Sequence, residues 1–205
     1  MLYFRICSLY LKKSKASNGD FFSEYDVVSQ TYDKAWGVQM GKHGKRALDE
    51  VFFPDKFFML DLACGTGFMI KEALCKGISE CIIGVDGSEG MLKKAKSKIK
   101  SDKVKLIKGD ILEEIKKLPD NCFDIVSFGW ALSYIEKKDR KVLMENIRRV
   151  LKTGGVLVLI ANCRGTIDIV ERAYLSLMEK NPSRIKKISD MGINLIKDYL
   201  ALRYL

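Results

Sequence analysis

The chain predicts an α/β fold, a doubly wound and mostly parallel sheet, and three observations carry that prediction. From residue 57 five short apolar runs alternate with amphipathic stretches, a glycine pair (Gly65 and Gly67) follows the first run, and an acidic residue stands at or near the end of each of the first three. Strand, helix, strand, helix in that order implies parallel pairing through right-handed crossovers. Ligands of such sheets lie at the carboxyl ends of the strands, near the switch in strand order.

Ahead of the sheet, FFSEYDVVSQTYDKAWG (21–37) spaces Phe22, Tyr25, Val28, Tyr32 and Trp36 three or four residues apart, an aromatic stripe along a helix. That helix either packs on the domain or lies as a lid over a ligand. The strands follow as FFMLDLA (57–63), CIIGVD (81–86), VKLIKGD (104–110), FDIVSFG (123–129) and GVLVLIAN (155–162). Helical patterning fills 68–76, 88–100 and 139–151, with a shorter piece at 111–118. After the last strand, 166–180 and 190–204 again read as helical, with Pro182 between them, and no further strand is evident.

A length of 205 residues suits one core rather than two. The expected organisation is a basic amino-terminal tail (1–20) and one domain (21–205), with core motifs over 57–163 and a helical segment over 164–205. The tail is a poor secretory signal, because Arg5 interrupts its apolar part and the lysines follow it. A targeting presequence, a surface-lying amphipathic turn and a frayed tail all remain open for it. No run is long enough for a transmembrane helix.

A net charge of +10 invites an acidic partner, but the excess is spread: four basic against one acidic residue in 1–20, 24 against 20 in 21–160, and eight against five in 161–205. The densest run, MLKKAKSKIK (91–100) with Lys103, Lys105 and Lys108, is nearly all lysine without interleaved aromatics, so it offers no platform for base stacking. It reads as a solvated face or a phosphate-binding patch. Six cysteines without a Cys-x-x-Cys pair and a single histidine give no metal site and fit reduced thiols in the cytoplasm.

The stretch FMLDLACGTGF (58–68) poses the functional question. In a dinucleotide loop a third glycine follows three residues after the second, whereas here that position is Ile70. Asp61, in the last part of the strand, would repel a pyrophosphate and favour a cationic group. Asp86, 21 residues beyond Gly65, stands where a carboxylate accepts hydrogen bonds from ribose hydroxyls. Asp110 could accept from an adenine amino group while Ile111 packs on the ring. An amino acid, a ribose and an adenine would then be read by three successive strand ends.

Five segments in order, DLACGTG (61–67), GVDGSEGML (84–92), KGD (108–110), FDIVSFGWALSYI (123–135) and IRRVLKTGGVLVLI (147–160), resemble the class I S-adenosylmethionine (SAM) dependent methyltransferases over roughly 21–163. The resemblance implies a Rossmann-like sheet, SAM as cofactor and a methyltransferase activity. It implies that Asp61, Ala63, Gly65 and Gly67 surround the methionine part and that Asp86 holds the ribose. Gly87, Ser88 and Met91 then lie near the nucleoside, Asp110 and Ile111 frame the adenine, and Phe128 and Gly129 close the site. Cys64 is a small loop residue, and Met91 is equally at home in a helix core.

The fourth-strand tail, SFGWALSYI, has neither the Asn/Asp-Pro-Pro-aromatic of exocyclic-amine methylators nor a Pro-Cys nucleophile. It looks more like the branch acting on small molecules, which includes ubiquinone and menaquinone methyltransferases. YDVVSQTYDKAWG (25–37) resembles the segment that closes over SAM in that branch, making Tyr25, Tyr32 and Trp36 lid residues, with Trp130 and Tyr134 on the substrate side. His43 is a candidate base or a surface residue. Family members usually add two strands after the fifth; here they are missing or replaced by helices. The leading expectation is methyl transfer to an O, N or C atom of a small organic molecule, with an RNA methyltransferase and a SAM-binding pseudoenzyme or accessory subunit as alternatives.

Overall fold

The structure, a computed structural model, describes residues 18 to 161. The first 17 residues of the expected tail, the segments expected to be helical at 166–180 and 190–204, and Cys7 and Cys163 lie outside the described residues.

Helix α1 (Asn18–Asp49) leads into β1 (Lys56–Leu62), α2 (Phe68–Ala73), β2 (Ile78–Asp86), α3 (Glu89–Lys98) and β3 (Val104–Lys108). One turn of helix, α4 (Ile111–Glu114), runs on into a 3-10 turn, then come β4 (Phe123–Gly129), a second 3-10 turn (Leu132–Tyr134), α5 (Lys137–Val150) and β5 (Leu151–Ile160). The five strands pair in parallel in the order β3-β2-β1-β4-β5. The order reverses between β1 and β4, so the crevice beyond their carboxyl ends is where a ligand of this sheet is expected.

Period-two alternation along β1 splits the core into two layers. Phe57 and Met59 face a cluster with Met69, Ile70, Ile82, Leu92 and Ala95, under α2 and α3. Leu60 and Leu62 face a second cluster with Val85, Ile115, Phe128, Leu143 and Ile147, under α4 and α5. Every one of these side chains is at most 8% exposed. Continuing the alternation, Asp61 points to the first face, away from the layer under α5.

Several boundaries differ from the sequence reading. Helix α1 runs on to Asp49 instead of stopping near residue 37, through Gly37, Gly41 and Gly44. A glycine inside a helix costs about 0.5–1 kcal/mol relative to alanine. Here two of the three have a packing use, since a Cβ at Gly44 would lie 2.9 Å from the Met69 sulfur and one at Gly41 3.3 Å from the Phe68 ring. Strand β2 begins at Ile78, because Ile78 and the polar Ser79 already pair with Lys56 and Phe57 of β1, with Glu80 in an irregularity before Cys81. Strand β5 begins at Leu151 and ends at Ile160: Thr153-Gly154-Gly155 makes an irregularity within the strand, with Gly154 at φ 81°, where the sequence reads as a turn. Among the described residues no helix is long and apolar enough to cross a membrane.

Candidate functional site

Beyond Leu62 the chain turns through Ala63-Cys64-Gly65-Thr66-Gly67 with left-handed φ at alternate residues, 55° at Ala63, 54° at Gly65 and 79° at Gly67. Only glycine fits at 67, where a Cβ would stand 2.5 Å from Ile99 Cδ1 and 3.1 Å from Ala95 Cβ. At Gly65 the same position meets nothing within 4 Å, so this side of the loop is open. The loop is tied to the end of β2 by Cys64 N–H donating to the Val85 carbonyl at 3.0 Å and by Gly65 N–H donating to Asp86 Oδ2 at 2.8 Å.

Two carboxylates flank it, Asp61 buried and Asp86 half-buried. Asp61 is 1% exposed, accepts a hydrogen bond from the Ser127 hydroxyl on Oδ1, and has no hydrogen-bond partner on Oδ2 among the described residues. Burial, with Asp86 nearby and the Ser127 bond opposing, pushes its pKa up to about 7. Asp86 accepts from Ser88 N–H (2.8 Å) on its other oxygen, and burial raises its pKa too, against the pull of the two amides. Neither carboxylate belongs to any of the described ion pairs. A buried carboxylate oxygen without a donor is costly unless a ligand donor meets it. The residues therefore fit a group that brings positive charge and hydrogen-bond donors. Cys64 is 6% exposed, and burial raises its thiol well above the ordinary range, so it is no nucleophile at neutral pH.

The third strand end supplies Asp110, whose Oδ1 accepts from Leu112 N–H at 2.8 Å and so caps α4. Ile111, Met91 and Phe128 are 8%, 1% and 0% exposed. Ile111 and Phe128 belong to the core layer under α4 and α5, so their side chains serve packing first. Gly129 leaves open space where a Cβ would stand, and Ser88 caps α3 by accepting from Met91 N–H.

Helix α1 lies across the strand ends. The Phe22 ring covers Gly87, where an added Cβ would be 2.0 Å from it. The Tyr25 and Tyr134 hydroxyls are 2.7 Å apart, and the Tyr25 ring meets those of Tyr134 and Tyr32 with centroids 6.0 and 6.2 Å away. Tyr32 donates to the Met40 sulfur at 3.3 Å, and burial, together with Asp86 and Asp33, drives its phenol pKa upward, away from a role as base. Trp36 is half-buried on the same helix. Trp130 follows β4 with φ 59°, a costly conformation for a bulky side chain, held by its N–H donating to the Ile160 carbonyl at 2.6 Å. His43 is exposed on the later part of α1, next to a glycine that packs on Phe68 and Met69 and past the residues that meet the strand ends.

Three residues at this site escape the sequence reading: Asp26, which accepts from Ser88 and Gly90; Asp33, which accepts from Thr66 and Lys98; and Ser127. Ser127 was accessible in principle, since it pairs in register with Asp61 on the adjacent strand.

A parallel sheet with a glycine loop after its first strand, and acids outside the described ion pairs at the ends of the first and second, defines a nucleoside-binding α/β protein suited to a cationic ligand. Residues 60–159 match the family described as "Methyltransferase domain". The demethylmenaquinone methyltransferase of Staphylococcus aureus strain MRSA252 is 30% identical over 169 residues, covering 78% of this chain and 68% of that protein. Among solved structures, the complex between the Haloferax volcanii Trm112 methyltransferase activator and a methyltransferase is similar with a TM-score of 0.59 at 24% identity, over 65% of this chain and 58% of that one. The DhpI-SAM-HEP complex gives a TM-score of 0.59 at 21% identity, over 78% and 73%. The chain belongs to the class I SAM-dependent methyltransferases, and SAM is its cofactor.

Proposed function

We propose that this protein transfers the methyl group of SAM to an O, N or C atom of a small organic molecule, in the cytoplasm. The observation that carries the reading is the pair of acids, Asp61 buried and Asp86 half-buried, set on either side of the open Gly65 loop and in no ion pair among the described residues. SAM supplies an electrophilic methyl on a sulfonium. Asp61 would meet its ammonium group, Asp86 its ribose hydroxyls, and the strand end at Asp110-Ile111 its adenine.

The protein's part is alignment and exclusion of water, which can supply on the order of 7–11 kcal/mol of a displacement barrier. Helix α1 covers the strand ends, and the Tyr25–Tyr134 hydroxyl pair with Trp130 offers hydrogen-bonding and aromatic surface to an acceptor. Tyr32 is held as a phenol and His43 is exposed, so neither offers a buried general base beside the strand ends. The relative at 30% identity is named for demethylmenaquinone, so a prenylated quinol is the first acceptor to try.

Calorimetry with SAM, and separately with NAD, tests the cofactor. The expected result is a dissociation constant near micromolar, about −8 kcal/mol, for SAM and no response to NAD. Asp86→Ala should weaken SAM by more than about tenfold with circular dichroism unchanged, because it removes a ribose acceptor and strips two loop amides of their partner. Unaltered SAM affinity in that variant would place the ribose elsewhere.

A further inference from the structure

Besides the aromatic stripe, α1 carries a second one. Phe22, Asp26, Ser29 and Asp33 follow one another at intervals of four, three and four residues, so they share a face of the helix. That face is the one set against the cofactor loops.

Asp26 Oδ1 accepts from the Ser88 hydroxyl at 2.6 Å and from Gly90 N–H at 2.7 Å. Ser88 also caps α3 and donates its N–H to Asp86, so a continuous chain of bonds links α1 to the carboxylate assigned to the ribose. Two turns further along, Asp33 accepts from the Thr66 hydroxyl at 2.6 Å and from Lys98 Nζ at 2.8 Å. Thr66 is the middle residue of Gly65-Thr66-Gly67 and is 4% exposed. The two acids therefore grip the turn after β1 and the turn after β2 separately.

The fit leaves little space. A Cβ on Gly90 would stand 2.9 Å from Asp26 Cα and 3.0 Å from its carbonyl oxygen, and Phe22 fills the ground over Gly87. A nucleoside lying over Gly87 must displace the Phe22 ring, so that side chain, or the start of α1 with it, has to move for the ligand to enter or leave. The later part of α1 is anchored by Leu48, 0% exposed, and by the glycines set against Phe68 and Met69. The earlier part, over the site, leaves Val27 58% exposed and is held by the buried Val28, by the Tyr25–Tyr134 hydroxyl pair and by the carboxylate bonds.

We propose that Asp26 and Asp33 are positioning residues, a two-point clasp that holds α1 over the glycine loop and the β2 turn and thereby sets how long the cofactor stays bound. The inference rests on the SAM reading above. Breaking either point should leave the β-sheet intact, release α1 over the site and speed cofactor dissociation. Because Asp33 acts through Thr66, removing both should cost no more than removing one.

The test is stopped-flow measurement of SAM binding and release on the full chain and on Asp26→Asn, Asp33→Asn, Thr66→Val and Asp33→Asn/Thr66→Val, with thermal unfolding of each. The expected result is a SAM dissociation rate about tenfold or more above wild type in each single variant. The double variant should match Asp33→Asn, Asp33→Glu should recover part of the loss, and association should be equal or faster. If wild type binds SAM and the folded variants release it at the wild-type rate, the clasp is overturned alone. Additive losses at Asp33 and Thr66 would also overturn it. A wild-type chain that binds no SAM would overturn the cofactor reading and the clasp with it.

Discussion

Asp61 is the residue whose chemistry is most exposed to test. With its pKa raised to about 7 by burial, it is largely protonated in mildly acidic solution and has no charge to offer an ammonium group. SAM binding should therefore ionise it. Between about pH 5.5 and 7, where an α-amino group of ordinary pKa about 7.7–8 stays protonated, SAM affinity should rise with pH and each SAM bound should release up to about one proton. Calorimetry in two buffers of different ionisation enthalpy measures that number, and Asp61→Asn should bring it close to zero. The sign for stability is opposite: a carboxyl raised in the folded state stabilises fully below its unfolded value and loses that contribution as pH climbs through about 7. The ligand-free wild type should thus lose thermal stability relative to Asp61→Asn between about pH 4 and 7. Asp61 and Asp86 were legible in the sequence because each stands at the end of an apolar run, a place a strand end dictates. Asp26 and Asp33 were not, since their partners lie 62 to 64 and 33 to 65 residues away and no local pattern joins them. Phe128 shows a signal left unused: its neighbour Ser127 points at Asp61, so alternation alone sends Phe128 to the other core layer.

Among elements, the strands and helices of the sheet were readable in type and order because period two and period 3.6 separate cleanly in them. Their edges were not, for reasons particular to each. Polar Ser79 and Glu80 hide the start of β2, and Gly154-Gly155 mimics a turn inside β5. Glycines at 37, 41 and 44 argue locally for ending α1, while the packing of two of them on Phe68 and Met69 repays their cost. That contrast gives opposite predictions for one substitution type. Gly37→Ala places its Cβ no nearer than 3.8 Å to Asp33 Cβ, and should stabilise the protein by about 0.5–1 kcal/mol through helix propensity. Gly90→Ala gains similar propensity in the first turn of α3 but pushes a methyl against the α1 backbone at Asp26, which no rotamer change relieves. Hydrogen exchange should report faster exchange of α1 amides in Gly90→Ala and none in Gly37→Ala. Equal protection in both would mean that α1 does not rest on the β2 turn.

At the scale of the whole molecule, charge and cofactor linkage separate the surviving readings. The excess of +10 is spread along the sequence, and the exposed lysines at 93, 96, 100, 103, 105 and 108 come without aromatic neighbours in that run, an arrangement suited to solvation more than to reading bases. An RNA methyltransferase would show RNA binding that falls steeply with salt, with a slope set by the phosphates neutralised. A small-molecule enzyme should show none of comparable strength, while its stability responds to the cofactor. A ligand at about 100 times its dissociation constant adds about 2.7 kcal/mol to a protein it binds only when folded. For a chain of this size each kcal/mol moves the midpoint about 2–4 °C, so saturating SAM should raise Tm by about 5–10 °C. NAD at the same concentration should leave it unmoved, because a pyrophosphate at this loop would face the buried Asp61 and the half-buried Asp86, neither in an ion pair among the described residues. A shift with NAD and none with SAM would reverse the reading of the glycine loop. A SAM shift that Asp61→Asn and Asp86→Ala each diminish would tie the stabilisation of the whole domain to the two strand ends.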